Sequence, residues 1–182
     1  MKATGIVRRI DDLGRVVVPK EIRRTLRLRE GEPMEIFTGK DGEIILKKYS
    51  PVGELENHAR ELAESISQIT GYLTCVTDTD QVIVASGHGQ REYQGKSIST
   101  ELENLIKSRE NRLTQSLKGN QIPIIIDDEM EDTSQVICPI LCAGDVLGAV
   151  ALLGRSKKQL LGELELKIAS VAAGFLGKQM EQ

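Results

Sequence analysis

The sequence predicts a two-part chain: a small all-β module with one short helix, then a larger α+β domain with an antiparallel sheet and flanking helices. Three observations carry this. Charge divides the 182 residues unevenly: residues 1–50 hold 12 Lys and Arg against 8 Asp and Glu, whereas residues 51–182 hold 12 against 19. The first fifty residues are β-branched runs separated by turn residues. The remainder has helical apolar periodicity at both ends and strand-like runs between. Pro51 and Gly53, in YSPVGE, interrupt the pattern. They suggest a module at 1–50, a linker at 51–55 and a second domain at 56–182.

In the module, TGIVRRID (4–11) reads as a strand, DDLG as a turn and RVVVP (15–19) as a second strand. Pro19 ends that strand and suits a helix start. KEIRRTLRL follows as a short helix, with Ile22 and Leu26 on its inner face and Arg23, Arg24 and Arg27 on an outward arc. REGEP is a turn. PMEIFT and EIILKKY are strands joined by GKDG, whose Asp-Gly pair is a hairpin signal. Four strands and a helix in about fifty residues bury little surface alone. The module has no cysteine, and GIVRRI and GRVVVP are apolar on both faces. Two copies sharing strands answer both problems, so an obligate dimer with an interleaved β-barrel core is expected.

Residues 14–29, GRVVVPKEIRRTLRLR, carry five arginines and a lysine against one glutamate, in a chain of net charge −3 and pI near 5.6. Such a patch suits a polyanion, and the planar fork of arginine suits phosphates and guanine edges. A basic run on a short helix is also commonly a solvated face. Asp11 and Asp12 would repel phosphate if they faced it, so they are expected to cap the turn or to hold an arginine in place. The stretch MKATGIVRRIDDLGRVVVPKEIRRTLRLREGEPMEIF, with EIILKKY, resembles the swapped-hairpin DNA-binding domain of AbrB-type transition-state regulators over nearly all of residues 1–50. The resemblance implies a swapped-hairpin barrel and DNA-contacting roles for Arg8, Arg15, Arg23 and Arg24. Arg9 and Arg27 join them as DNA-binding candidates. It further implies tolerant recognition of double-stranded, A/T-rich promoters, by a regulator that both activates and represses sporulation-type gene programmes from the nucleoid.

The second domain opens with ELENHARELAESISQIT (54–70), an amphipathic helix with Leu55, Ala59, Leu62, Ile66 and Ile69 at spacings of four and three. YLTCVTDTDQVIVASG reads as a hairpin, ISTELENLIKSRE as a helix, and QIPIIIDD and QVICPILCAGDVLGAVALLG as further strands, with AGD as a turn. The last helix, expected over 158–180, carries the seam Leu161, Leu164, Ile168, Val171 and Phe175. Each seam is either internal core or a self-association surface. The second option gives a dimer through the barrel and a tetramer through the helices. This order, above all CPILCAGDVLGAVALLG before a long helix, resembles the GAF-type sensor domain. The resemblance implies an unidentified small ligand on one side of the sheet, able to modulate DNA affinity.

Pointers to that ligand are weak. SGHGQREYQGKSIS (86–99) is long enough for a lid, and His88 is the one candidate contact, although loop histidines are commonly only exposed. GHG lacks the spacing of a dinucleotide-binding turn. DDEMED (127–132) lacks the glycine and distal glutamate of a calcium loop and reads as a solvated acidic segment. Cys75, Cys138 and Cys142 read as reduced thiols; Pro139 separates the last two, and no CxxC or histidine partner accompanies them. No metal, cofactor or catalytic residue is expected. No run of eighteen apolar residues exists and MKATGIVRRIDD has no hydrophobic leader, so the expected location is cytoplasmic, away from membranes. Two other classes compete. An antitoxin of a toxin–antitoxin pair shares the barrel but typically carries a short disordered tail. An enzyme is the third, since some GAF relatives reduce methionine sulfoxide with cysteines, but no acid–base constellation accompanies the thiols here.

Overall fold

The computed structural model describes residues 5–40, 42–115, 120–126, 128, 134–156 and 159–181. The chain divides into two compact units, Met1–Tyr49 and Ser50–Gln182.

The regular elements of the first unit are α1 (Lys20–Thr25), β1 (Met34–Thr38) and β2 (Ile44–Lys48). β1 and β2 pair antiparallel, with Met34 opposite Lys48 and Thr38 opposite Ile44. Glu32 braces this hairpin: one carboxylate oxygen meets Lys48 Nζ at 2.8 Å, and the other accepts the Arg29 N–H at 2.8 Å. Burial opposes ionisation of Glu32, but these partners outweigh it and lower its pKa. Asp41, half of the expected Asp-Gly turn, lies outside the described residues.

Two sequence expectations change here. The segments expected as strands at 4–11 and 15–19 form no strand over their described residues; they run on either side of a tight turn at Asp11. A strand needs a neighbour to bond to, and their apolar side chains stay in solvent, with Val7 84% and Val17 71% exposed. The helix is also shorter than KEIRRTLRL. It closes at Arg27, whose φ is +52°, with Arg27 N–H donating to the Arg24 carbonyl at 3.3 Å and Leu28 N–H to the Arg23 carbonyl at 2.8 Å. This is a Schellman closure with arginine where glycine is usual. Leu26 therefore caps the helix and is exposed, rather than facing inward with half-buried Ile22. Among the described residues of this unit only Pro19 is buried.

The second unit starts sooner than expected. Residues 51–55 are not a free linker: Pro51–Glu54 form a helical turn, α2, and Val52 is 1% exposed within the core. Proline reads as an interruption in sequence, but it suits a first helical position. Ser50 caps this turn, accepting the Gly53 N–H at 3.2 Å and donating to Asp78 Oδ2 at 2.8 Å. α3 (Glu56–Thr70) ends at left-handed Gly71. β3 (Leu73–Thr77) and β4 (Val82–Ser86) form a hairpin. Its turn is shaped by Asp78, whose Oδ1 accepts the N–H groups of Asp80 and Gln81, each at 2.7 Å.

α4 (Gln90–Tyr93), α5 (Thr100–Ser108), β5 (Arg112–Thr114), β6 (Gln135–Cys142), β7 (Asp145–Leu153) and α6 (Glu163–Gln179) complete the unit. The strand order is β4-β3-β7-β6-β5, and every pairing is antiparallel. Ala143 and Gly144, both at positive φ, make the two-residue β6–β7 turn. QIPIIIDD, expected as a strand, forms only an isolated bridge between Ile98 and Ile125. Ile124 and Ile125 serve burial instead, with Ile124 at the core, while Ile126 is exposed.

Both sheet faces are covered, which explains the nearly unbroken apolar run of β6 and β7. Val76, Cys138, Val150 and Leu152 share one core with α3 and α6. Cys75, Ile137, Ala149 and Ala151 share the other with Tyr93, Ile98, Leu102 and Ile106. Glycine permits two close approaches: a Cβ on Gly148 would lie 1.9 Å from the Thr77 carbonyl oxygen, and one on Gly177 would lie 2.1 Å from that of Leu141. Among the described residues no helix is long and apolar enough to cross a membrane.

The position of Val52 sets a first prediction. A fragment starting at Ser50 should be more stable to urea than one starting at Glu56, by about 2 kcal/mol for the buried valine. Equal midpoints and slopes would mean that Val52 contributes nothing to this core.

Candidate nucleic-acid interface

The basic candidates stand on two local structures. The first is the turn at 11–15. Asp11 N–H donates to the Arg15 carbonyl and Gly14 N–H to the Asp11 carbonyl, both at 3.0 Å. The Asp11 carboxylate closes it: Oδ1 accepts Leu13 N–H at 3.0 Å and Arg15 N–H at 2.8 Å, while Oδ2 meets Arg15 Nε at 2.8 Å. The expectation that these aspartates cap the turn or hold an arginine therefore holds for Asp11, which does both. The Arg15 backbone N–H, then its guanidinium, lower the Asp11 pKa, so the turn keeps its ion pair through neutral pH. The second structure is α1, with Arg23 and Arg24 in its last turn. There their positive charge also suits the helix C-terminus. Arg8, Arg9, Arg15, Arg23, Arg24 and Arg27 are all exposed. Arg8 lies on the chain entering the Asp11 turn, where Nη1 donates to the Val7 carbonyl at 3.2 Å.

The helix seams divide. Leu161 precedes α6 and is wholly buried, while Ile66 is 8% exposed and packs on the sheet of its own unit. These two are internal core and leave the self-association set. Leu55, Leu62 and Ile168 are half-buried. Leu164, Val171 and Phe175 are exposed, Val171 by 72%. Spaced seven and four apart on α6, they form an outward apolar stripe, while Ala169, Ala172, Ala173 and Leu176 face the sheet. The division was hidden in sequence because the alanines that take the inner face are weakly apolar.

His88 is exposed on the β4–α4 loop. The polar cluster that forms next to this loop was not anticipated. Arg155 donates to Glu92 at 2.9 Å and to the Tyr93 hydroxyl at 3.2 Å, and that hydroxyl donates to Asp128 at 3.0 Å. Burial, then the Asp128 carboxylate, push the Tyr93 pKa up, so it stays a neutral donor. Arg155 and Tyr93 are 62 residues apart, and no local spacing signals such a pairing. Of the acidic run 127–132, only Asp128 lies within the described residues. There are no candidate metal clusters among the described residues. Cys75 and Cys138 are buried, and burial raises both thiol pKa values.

A chain of these two units, an arginine-bearing hairpin module and a helix-flanked antiparallel sheet, is matched by a family model and a full-length relative that make it a transcription factor. The family model described as "Stage V sporulation protein T C-terminal, transcription factor" matches residues 54–181, and that of the MazE bacterial antitoxin matches residues 7–54. Stage V sporulation protein T of Bacillus subtilis (strain 168) is 50% identical over 182 residues, the full length of both chains. The transition state regulatory protein AbrB of the same organism is 59% identical over 51 residues, 28% of this chain and 52% of that one. Among solved structures, the GAF-B domain of DevS from Mycobacterium smegmatis is similar at TM-score 0.53 and 14% identity, covering 69% of this chain and 93% of that one. The PixJ GAF domain of Thermosynechococcus elongatus is similar at TM-score 0.57 and 12% identity, covering 74% and 89%. These two define the fold alone. The chain belongs to the stage V sporulation protein T family.

Thiol burial yields the second prediction. In the native protein a disulfide reagent should modify Cys142, which is partly exposed, and spare Cys75 and Cys138 until urea unfolds the chain. Three fast-reacting native thiols would contradict the described packing.

Proposed function

We propose that this chain regulates transcription by binding double-stranded DNA through residues 1–49, and that residues 50–182 assemble the chains and hold a small regulatory ligand. The observation that carries this is the composition of the first unit's surface. Among its described residues only Pro19 is buried, while seven arginines and the apolar run around Val7 and Val17 are all exposed. An apolar surface of this kind asks for a second copy, and two copies interleaving residues 5–19 complete a swapped-hairpin barrel. The dimer doubles the arginine set about a two-fold axis, as duplex DNA sites commonly require. The AbrB likeness supports A/T-rich promoters as targets and a nucleoid location, with activation at some sites and repression at others.

The exposed stripe of α6 supports a further association of barrel dimers into tetramers. The GAF likeness supports a small ligand on one side of the second unit's sheet. α3 follows β2 after a few residues of chain, so strain in the second unit has a short covalent route to the first. A ligand shifts DNA affinity only by the difference in its own affinity for the two states. The MazE match over residues 7–54 favours an antitoxin as the second reading. A folded domain in place of a toxin-wrapping tail speaks against it. The buried thiols favour a binding role over catalysis.

Two measurements test this reading. If Arg8, Arg15, Arg23 and Arg24 each neutralise about one phosphate, a dimer contacts about eight, and log K should fall against log salt with a slope near −7. Arg23→Ala should reduce that slope by about 2 per dimer without unfolding the protein. Wild-type affinity and slope in this variant would make Arg23 ordinary surface. Separately, Leu164→Glu combined with Val171→Glu should halve the native mass and leave thermal stability nearly unchanged, since both side chains are exposed. An unaltered mass would remove the stripe from the assembly.

A further inference from the structure

We infer that Asp11 is a positioning residue for DNA recognition: it fixes which edge of the Arg15 guanidinium meets the duplex, and so sets selectivity at the expense of affinity. The inference rests on the reading that Arg15 touches DNA. A guanidinium can grip a base edge or phosphate in a two-pronged way either end-on, through both terminal nitrogens, or side-on, through Nε and one of them. In this chain Nε is committed to Asp11 Oδ2 at 2.8 Å. The side-on edge is taken, and the end-on edge remains.

The carboxylate that takes it is not a loose surface partner. Its other oxygen is held by the N–H groups of Leu13 and Arg15. The turn is closed further by the Asp11–Arg15 and Gly14–Asp11 backbone bonds, with Gly14 at φ +75°. All of these contacts lie within five consecutive residues, so the arrangement does not depend on any other part of the fold. Asp12 makes no such contact among the described residues. Of Arg8, Arg9, Arg15, Arg23 and Arg24, Arg15 alone has a carboxylate partner among the described residues.

A carboxylate beside a DNA-facing arginine works against affinity, because it cancels a charge that phosphate would otherwise attract. A tethered and oriented fork compensates by rejecting wrong base edges, since a side chain already held in one geometry does not adapt to them. This assigns different work to the arginines: Arg8, Arg23 and Arg24 attract alone, and Arg15 also selects.

The test uses the full-length protein and two duplexes of equal length and composition, one selected from a random pool by the wild type and one scrambled. Asp11→Asn keeps the Oδ1 acceptor for the turn and removes the charged hold on Nε. It should bind the scrambled duplex as tightly as the wild type or about two- to threefold more tightly, while the selected-to-scrambled affinity ratio falls about five- to tenfold. Asp11→Glu keeps the charge but displaces it by one methylene. It should lose the same ratio with the salt slope unchanged. Thermal unfolding of each variant accompanies the binding, and if Asp11→Asn does not fold, the Asp11→Glu ratio decides. A wild-type ratio in the folded Asp11 variants, with the ratio lost in Arg15→Ala, overturns the positioning role and leaves Arg15 as a contact. A wild-type ratio and affinity in Arg15→Ala overturns the contact itself.

Discussion

A module of fewer than fifty residues that, among its described residues, buries only a proline cannot be stable by itself. Folding fixes each residue at a cost of about 1–2 kcal/mol in backbone entropy, and the return comes mainly from apolar surface withdrawn from water. In the first unit that return is deferred: Val7, Ile10, Leu13, Val16 and Val17 are all exposed. What the single chain does hold is short-range and polar, namely the Asp11 turn, the closure of α1 at Arg27 and the Glu32–Lys48 brace. These features set local shape before any partner arrives. Under the proposed dimer they pre-organise the arginines, and the second copy supplies the core. Folding and assembly would then be one event, and the DNA-binding surface would exist only in the assembled protein.

The second unit obeys the opposite rule. Its sheet is covered on both faces, and its closest approaches are made where glycine leaves room, at Gly148 and Gly177. Among its described residues the exposed large apolar side chains are Ile69, Leu164, Val171 and Phe175 on helices, with Ile126, Leu141 and Leu160 outside them. Because that core is complete within one chain, association through the α6 stripe would add to a folded domain and not create it. The contrast gives the two proposed interfaces different characters. Loss of the first removes the fold of the module, while loss of the second changes only the assembly.

What was legible in the sequence follows the same line. Elements whose partners lie nearby were read correctly: β1 with β2, β3 with β4, β6 with β7, and the helices α3 and α5. Residues 5–19 have strand composition but no neighbour to bond to within the chain, so the propensity has no ladder to express it. The linker reading failed at Pro51 because proline serves equally as a break and as a helix start, and only the burial of Val52 distinguishes the two. The α6 seam mixed Leu161, which is core, with Leu164 and Val171, which are not, since periodicity identifies a stripe but not what covers it. The Arg155–Tyr93–Asp128 cluster was beyond reach, as its members come from three separate segments.

The charge division takes on a physical sense when set against the Asp11 pair. The second unit's part of the chain carries a surplus of acid, and at physiological salt that repulsion of DNA fades over about 8–10 Å. General electrostatic attraction is therefore limited to the arginine-rich module, and seven exposed arginines leave it a reserve. A protein with such a reserve can commit one arginine to a carboxylate and still bind. In a less basic module the same pairing would cost too much affinity to retain. Under the proposed roles the surplus at Arg8, Arg9, Arg23 and Arg24 and the restraint at Arg15 would be complementary: the first would provide attraction that any sequence receives, and the second would convert part of it into a preference among sequences.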